Sequence, residues 1–147
     1  MNPDNPNFTD LPEFADGTKN AAIFKTNAPF SNPYQGSSPR WLFVCSAGLL
    51  RSPTGAAVAS KHGINARAAG SNSRYALIPL SANLINWAER IVFVNENNYL
   101  EALREFHEHS ELLNQIRAKS YIMNIPDVYN YNDPQLVREF ESEFLWY

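Results

Sequence analysis

From Arg40 onward, apolar residues fall into short runs separated by polar, turn-forming stretches. Trp41-Leu42-Phe43-Val44 and Ile91-Val92-Phe93-Val94 are unbroken apolar runs, the pattern of strands buried on both faces. Ile64 to Ala69 reads as a weaker, alanine-rich strand and Tyr121-Ile122-Met123 as a short one. Between the strands the period lengthens to that of helices. Ser52 with Pro53 opens a helix through His62, ended by Gly63, and Ser81 caps another through Ala88 whose apolar face is Leu84, Ile85, Trp87 and Ala88. Tyr99 to Phe106 and Leu112 to Ala118 are helical with charged outer faces. Asp133-Pro134 starts a last helix to the C-terminus, with Leu136, Phe140 and Phe144 as its buried stripe and Glu139, Glu141 and Glu143 as its solvated face. Strands alternating with helices predict an α/β domain over residues 39–147, a three-layer αβα arrangement around a four-stranded parallel sheet.

Residues 1–38 differ. Pro3, Pro6, Pro12, Pro29 and Pro33, with asparagines at 2, 5, 7, 20, 27 and 32, leave no helical or strand period there. The stretch nevertheless carries Phe8, Leu11, Phe14, Ile23, Phe24, Phe30 and Tyr34, more apolar anchors than a solvated linker uses. It reads as an irregular N-terminal arm that packs on the domain.

Composition narrows the function classes. The chain has 147 residues, 44% hydrophobic and 13% aromatic, enough to bury a core without disulfide staples. Twelve basic against fifteen acidic residues give a net charge of −3, with no basic excess to bind nucleic acid. The strongly apolar run Trp41–Cys45 is too short to cross a bilayer, and MNPDNPNFTD does not resemble a secretory signal. The expectation is a cytoplasmic protein without nucleic-acid or membrane partners, and a monomer is compatible with it. A single cysteine excludes an internal disulfide and a multi-thiolate zinc site, and the three histidines (His62, His107, His109) read as solvent-facing helix residues. No metal or cofactor is expected.

The lone thiol has a telling position. Cys45 ends the first strand, and Ser46-Ala47-Gly48-Leu49-Leu50-Arg51 leads into the helix at Ser52. In an α/β sheet, ligands sit in the crevice beyond the carboxyl ends of the strands. A turn entering a helix N-terminus aims successive backbone N–H groups at one spot, where the helix dipole adds partial positive charge. Gly48 supplies the free φ of a tight wrap, and the planar fork of Arg51 matches two oxygens of a phosphate. Helix N-terminus, Arg51 and the Ser52 hydroxyl together favour a thiolate at Cys45, and a thiolate beside a bound phosphate is a nucleophile aimed at phosphorus. An arginine six residues after a given cysteine arises by chance about one time in twenty, so the strand before, glycine within and Ser-Pro after carry the assignment.

Cleaving a phosphoester also needs a proton donor for the leaving oxygen. After Arg40 the only aspartates are Asp127 and Asp133, both in the segment following the last strand. Asp133 precedes Pro134 and reads as a helix cap, which leaves Asp127 as the acid and Asp133 as its alternate. Tyr129 and Tyr75, on loops at the same edge, are candidates for a wall against a flat phenyl ring.

The stretch Cys45–Ser52 with Pro53-Thr54 resembles the phosphate loop C-S-x-N-x-x-R-S-P-T of the low molecular weight protein tyrosine phosphatases, in particular a short bacterial and phage branch. Pro79-Leu80-Ser81-Ala82-Asn83-Leu84-Ile85-Asn86-Trp87-Ala88 resembles a middle segment of that family, and Ile125-Pro126-Asp127 with Asp133-Pro134 a late one. The resemblance runs from about Arg40 to the end and leaves the arm outside. It implies phosphocysteine chemistry at Cys45, phosphate clamping by Arg51, backbone binding along Ser46, Ala47, Gly48, Leu49 and Leu50, hydroxyl support from Ser52 and acid–base work by Asp127. The expected substrate is a phosphotyrosine protein or a small aryl phosphate. Two departures stand out: Gly48 replaces the asparagine that braces the loop from inside, and Ala68 replaces a serine. They motivate an alternative, a non-catalytic phosphate-binding or interaction module. A further alternative, arsenate reduction, uses the same loop but would need an external thiol.

Overall fold

The computed structural model describes residues 38–144. The arm expected over residues 1–38, and its packing on the domain, lie outside the described residues apart from Ser38. Among the described residues, four strands form one sheet: β1 (Arg40–Cys45), β2 (Asn65–Gly70), β3 (Arg90–Phe93) and β4 (Ser120–Ile122). Five helices accompany them there: α1 (Arg51–Lys61), α2 (Ala82–Trp87), α3 (Glu96–Glu105), α4 (Ser110–Lys119) and α5 (Pro134–Phe144). The strand order is β2-β1-β3-β4, and every pairing is parallel, with Cys45 opposite Gly70 and Val44 opposite Phe93. The α/β class and the four-stranded parallel sheet read from the sequence are the ones observed.

The apolar run of β1 is buried on both sides because consecutive side chains alternate between two cores. Trp41, Phe43 and Cys45 face Ala56 and Ala59 of α1 and Leu136 and Phe140 of α5. Leu42 and Val44 face Leu84 and Ile85 of α2, Ala102 of α3 and Ile116 of α4. Phe43 meets Phe140 edge-on, with ring centroids 5.7 Å apart, a preferred aromatic geometry.

Most boundaries shift by a residue or two from the sequence reading, and two helix starts are instructive. Helix α1 begins at Arg51, with Leu50 at the cap position and no side-chain cap. Ser52 is therefore not the residue that opens it; its hydroxyl is turned toward Cys45. Helix α3 begins at Glu96, three residues before the apolar periodicity does, because Asn95 caps it by accepting from the Asn97 N–H at 3.0 Å. The expected caps at Ser81 and Asp133 are present: Ser81 Oγ accepts from the Leu84 N–H and Asp133 Oδ1 from the Gln135 N–H.

Connections from β1 and from β3 leave toward opposite sides of the sheet. The carboxyl ends of these neighbouring strands thus flank a topological switch point, where the following loops part and open a crevice. Among the described residues, no helix is long and apolar enough to cross a membrane.

Candidate active site

Cys45 lies at that switch point. The residue is only 3% exposed, yet its sulfur has polar partners: the Gly48 N–H donates to Sγ at 3.2 Å, and Ser52 Oγ lies 3.1 Å away. The turn thus gives the sulfur one N–H donor, and the Ser52 hydroxyl, which also donates to the Ala69 carbonyl at 3.3 Å, lies within hydrogen-bond distance of it. Ser46, Ala47 and Gly48 are half-buried, while Leu49 and Leu50 face outward.

Gly48 has φ +74°, and its reason is steric as well as conformational. A Cβ there would come within 2.9 Å of the Ala69 carbonyl carbon and the Gly70 nitrogen. On the other side, a Cβ at Gly70 would lie 2.6 Å from the Ser46 oxygen and 2.8 Å from the Ala47 carbonyl carbon. The loop rests directly on the end of β2, main chain on main chain.

Arg51 is 5% exposed. One terminal nitrogen donates to the Ile125 carbonyl at 2.8 Å, and its Nε lies 3.6 Å from Asp127 Oδ1. The Asp127 side chain is 71% exposed, so the pair is a weak, solvent-screened contact. Asp133 is occupied as the cap of α5. Tyr75 is well exposed on the loop after β2, whereas Tyr129 is half-buried against the core that includes Cys45. Both are at the carboxyl edge of the sheet, with Tyr131 exposed nearby in sequence to Tyr129. His62 is paired with Glu141 at 2.7 Å, so this histidine joins α1 to α5 and is not simply solvent-facing. Among the described residues no group of three or more His, Cys, Asp or Glu could hold a metal ion.

No protein-family model matches the chain, and no curated protein matches it in sequence. Solved structures do match. The YwlE arginine phosphatase from Geobacillus stearothermophilus superimposes with a TM-score of 0.52 at 18% identity, covering 71% of this chain and 84% of that one. Wzb from Vibrio vulnificus, in complex with benzylphosphonate, gives 0.51 at 18% identity over 71% and 91% of the two chains. A YwlE mutant from Bacillus subtilis gives 0.50 at 19% identity over 71% and 92%. The fold is that of the bacterial low molecular weight phosphatases.

Several polar groups of this low molecular weight phosphatase fold were not apparent from the sequence. Thr54, fully buried, donates to the Leu50 carbonyl at 2.8 Å and accepts from the Asn132 N–H at 2.7 Å. It ties the end of the Cys45–Arg51 loop to the loop that carries Asp127. Asn132 itself takes φ +61°, a conformation asparagine tolerates better than most residues. Behind the loop, Asn98 and Glu101 of α3 and Ser71 after β2 surround the Ser46 hydroxyl. A signal for Asn98 existed: it lies one turn before Ala102 and so shares the apolar face of α3.

Proposed function

We propose that the protein is a phosphomonoester hydrolase that works through a phosphocysteine at Cys45, with phosphotyrosine or another aryl phosphate as substrate. The observation that carries this reading is the polar environment of one sulfur: the Gly48 N–H and the Ser52 hydroxyl meet Cys45 Sγ in the turn that leads to Arg51. Phosphate oxygens take the loop N–H groups and the Arg51 guanidinium, which exchanges its contacts with Ile125 and Asp127 for the anion. The thiolate attacks phosphorus in line, the P–O ester bond breaks, and Asp127 gives its proton to the leaving oxygen. Water then attacks the phosphocysteine, Asp127 takes up the water's proton, the S–P bond breaks and the thiolate is restored.

An aryl leaving group suits the surroundings. Leu49, Leu50, Tyr75, Leu77, Val128 and Tyr131 are exposed on the loops after β1, β2 and β4, an apolar rim for a flat ring. The close approach at Gly48 also bears on the non-catalytic alternative. A Cβ at Gly48 would crowd the end of β2, so the absence of the family's asparagine does not by itself argue for a decayed site. Arsenate reduction would require a thiol from another molecule, since Cys45 is the only cysteine of the chain.

The test is hydrolysis of p-nitrophenyl phosphate and of a phosphotyrosine peptide, with phosphoarginine as a further substrate and vanadate as inhibitor. Wild type turns over the aryl esters and vanadate blocks it; Cys45→Ser loses turnover but still binds phosphate. Turnover surviving in Cys45→Ser removes the thiol from the mechanism. Phosphate binding without hydrolysis by wild type would make the chain a binding module, and arsenate consumption only with added small thiols would favour the reductase.

A further inference from the structure

We propose that Asn98 is a positioning residue, which acts through the hydroxyls of Ser46 and Ser71 to hold the first peptide units of the phosphate loop in their anion-binding orientation. This rests on the phosphatase reading for its catalytic consequence, though not for its structural one. Asn98 is 1% exposed. Its Nδ2 donates to Ser46 Oγ at 2.9 Å and to Ser71 Oγ at 3.4 Å. The Ser71 hydroxyl in turn lies 2.5 Å from Glu101 Oε1, and that of Ser46 lies 3.4 Å from the same oxygen. The amide nitrogen of Asn98 only donates and the Glu101 oxygen accepts, which sets the sense of both hydroxyls: protons toward Glu101, lone pairs toward Asn98, with the Cys45 carbonyl 3.3 Å from Ser71 Oγ as a second acceptor.

The two serines belong to the two chain segments that must stay in register. The Ser71 N–H donates to the Cys45 carbonyl at 2.7 Å and the Asn72 N–H to the Ser46 carbonyl at 3.0 Å. There are no cis peptides among the described residues, and a trans peptide carries C=O and N–H on opposite sides. With the carbonyls of Cys45 and Ser46 turned toward Ser71 and Asn72, the N–H groups of Ser46 and Ala47 point the other way, as a phosphate would require. Asn98 joins these segments across α3. Its Oδ1 is buried with no hydrogen-bond partner among the described residues. A side chain serving stability alone at this apolar-face position would be aliphatic, since a half-satisfied buried amide is costly.

The experiment compares full-length wild type, Asn98→Leu, Glu101→Leu and Glu101→Gln. Amide hydrogen exchange is followed by NMR at Ser71 and Asn72 and at the core strand positions Leu42 and Val92. Asn98→Leu is expected to speed exchange at Ser71 and Asn72 about tenfold more than at the core, a local opening and not a global one. The vanadate inhibition constant should rise about tenfold, with kcat/KM for p-nitrophenyl phosphate falling through KM more than through kcat. Glu101→Leu, at a half-buried position, should act in the same direction and carries the test if Asn98→Leu does not fold. Glu101→Gln keeps an acceptor for the Ser71 hydroxyl and should recover most of the protection. Equal acceleration of core and loop amides, or no acceleration at Ser71 and Asn72, overturns the proposal. Wild type inactive toward aryl phosphates would sink the phosphatase reading, while the exchange data would still decide whether Asn98 holds the loop.

Discussion

Replacing Gly48 with asparagine would restore the residue that the phosphate loop of the resembled family carries, and a sequence comparison would expect a better braced site. The packing predicts a worse one. Asparagine tolerates φ +74° better than other side chains, so the conformational cost is modest. The steric cost is not, because the new Cβ would lie 2.9 Å from two main-chain atoms of β2. β2 cannot retreat: Gly70 N–H is bonded to the Ile78 carbonyl and Ser71 N–H to the Cys45 carbonyl. The loop must therefore lift by about 0.5 Å to reach ordinary contact. Such overpacking costs roughly 1–3 kcal/mol, a fall in Tm of roughly 4–12 °C for a domain of this size. Lifting also loosens the Gly48 N–H contact to the Cys45 sulfur, and kcat/KM should fall by about one to two orders of magnitude.

The assay is a thermal melt with steady-state kinetics on p-nitrophenyl phosphate, with two controls. Gly48→Ala adds the Cβ without the amide, so steric reasoning predicts loss in both variants, whereas bracing predicts loss in Gly48→Ala and gain in Gly48→Asn. Gly63 has φ +87° with nothing within 4 Å of an added Cβ. Gly63→Asn therefore isolates the conformational cost, expected to be below about 1 kcal/mol. A Gly48→Asn protein that melts at or above wild type and turns over faster would refute the argument from close approach.

Two further outcomes follow from the loop after β4. Asp127→Ala should lower kcat by about 10²–10⁴ with little change in Tm, while Asp133→Ala should cost about 1 kcal/mol of stability as a lost cap and keep turnover; the reverse pattern would transfer the acid role to Asp133. Thr54→Val keeps the shape but removes the link between Leu50 and Asn132, leaving the Asn132 N–H without its acceptor at a cost of about 1–3 kcal/mol. Its kcat should fall more than its affinity for vanadate, because the Asp127 loop is released while the phosphate loop remains on β2; unchanged kcat would show that Thr54 does not set the acid's position.

What was legible in the sequence was whatever a short window could hold. β1 and β3 announced themselves because both faces of each are buried, leaving no polar position to blur the run. Asp133 was separable from Asp127 because a cap before proline is a local signal. Ser52 was legible in part: its hydroxyl lies beside the Cys45 sulfur as the sequence led us to expect, whereas the helix start assigned to it falls one residue earlier, at Arg51. Asn98, Ser71 and Glu101 come from segments that meet only after the sheet is built, Asn98 standing at a sequence separation of 27 from Ser71 and 52 from Ser46. Their polarity in a helix or turn reads as solvent exposure until the packing is known.

The distribution of those supports bears on how an anion site can diverge in sequence while keeping its shape. The groups offered to a phosphate by such a loop are main-chain N–H groups, identical for every residue except proline, so selection on side chains acts through whatever orients the peptide planes. On the reading proposed above, the orientation in this chain comes from outside the loop. Gly48 and Gly70 let two backbones touch, the Ser71 and Asn72 amides take the carbonyls, and α3 closes the rear through Asn98. A brace inside the loop and a brace behind it solve the same problem, and close contact at Gly48 leaves no room for the first once the second is adopted. Substitutions in the turn after β2 should therefore perturb phosphate binding as strongly as substitutions within the loop itself.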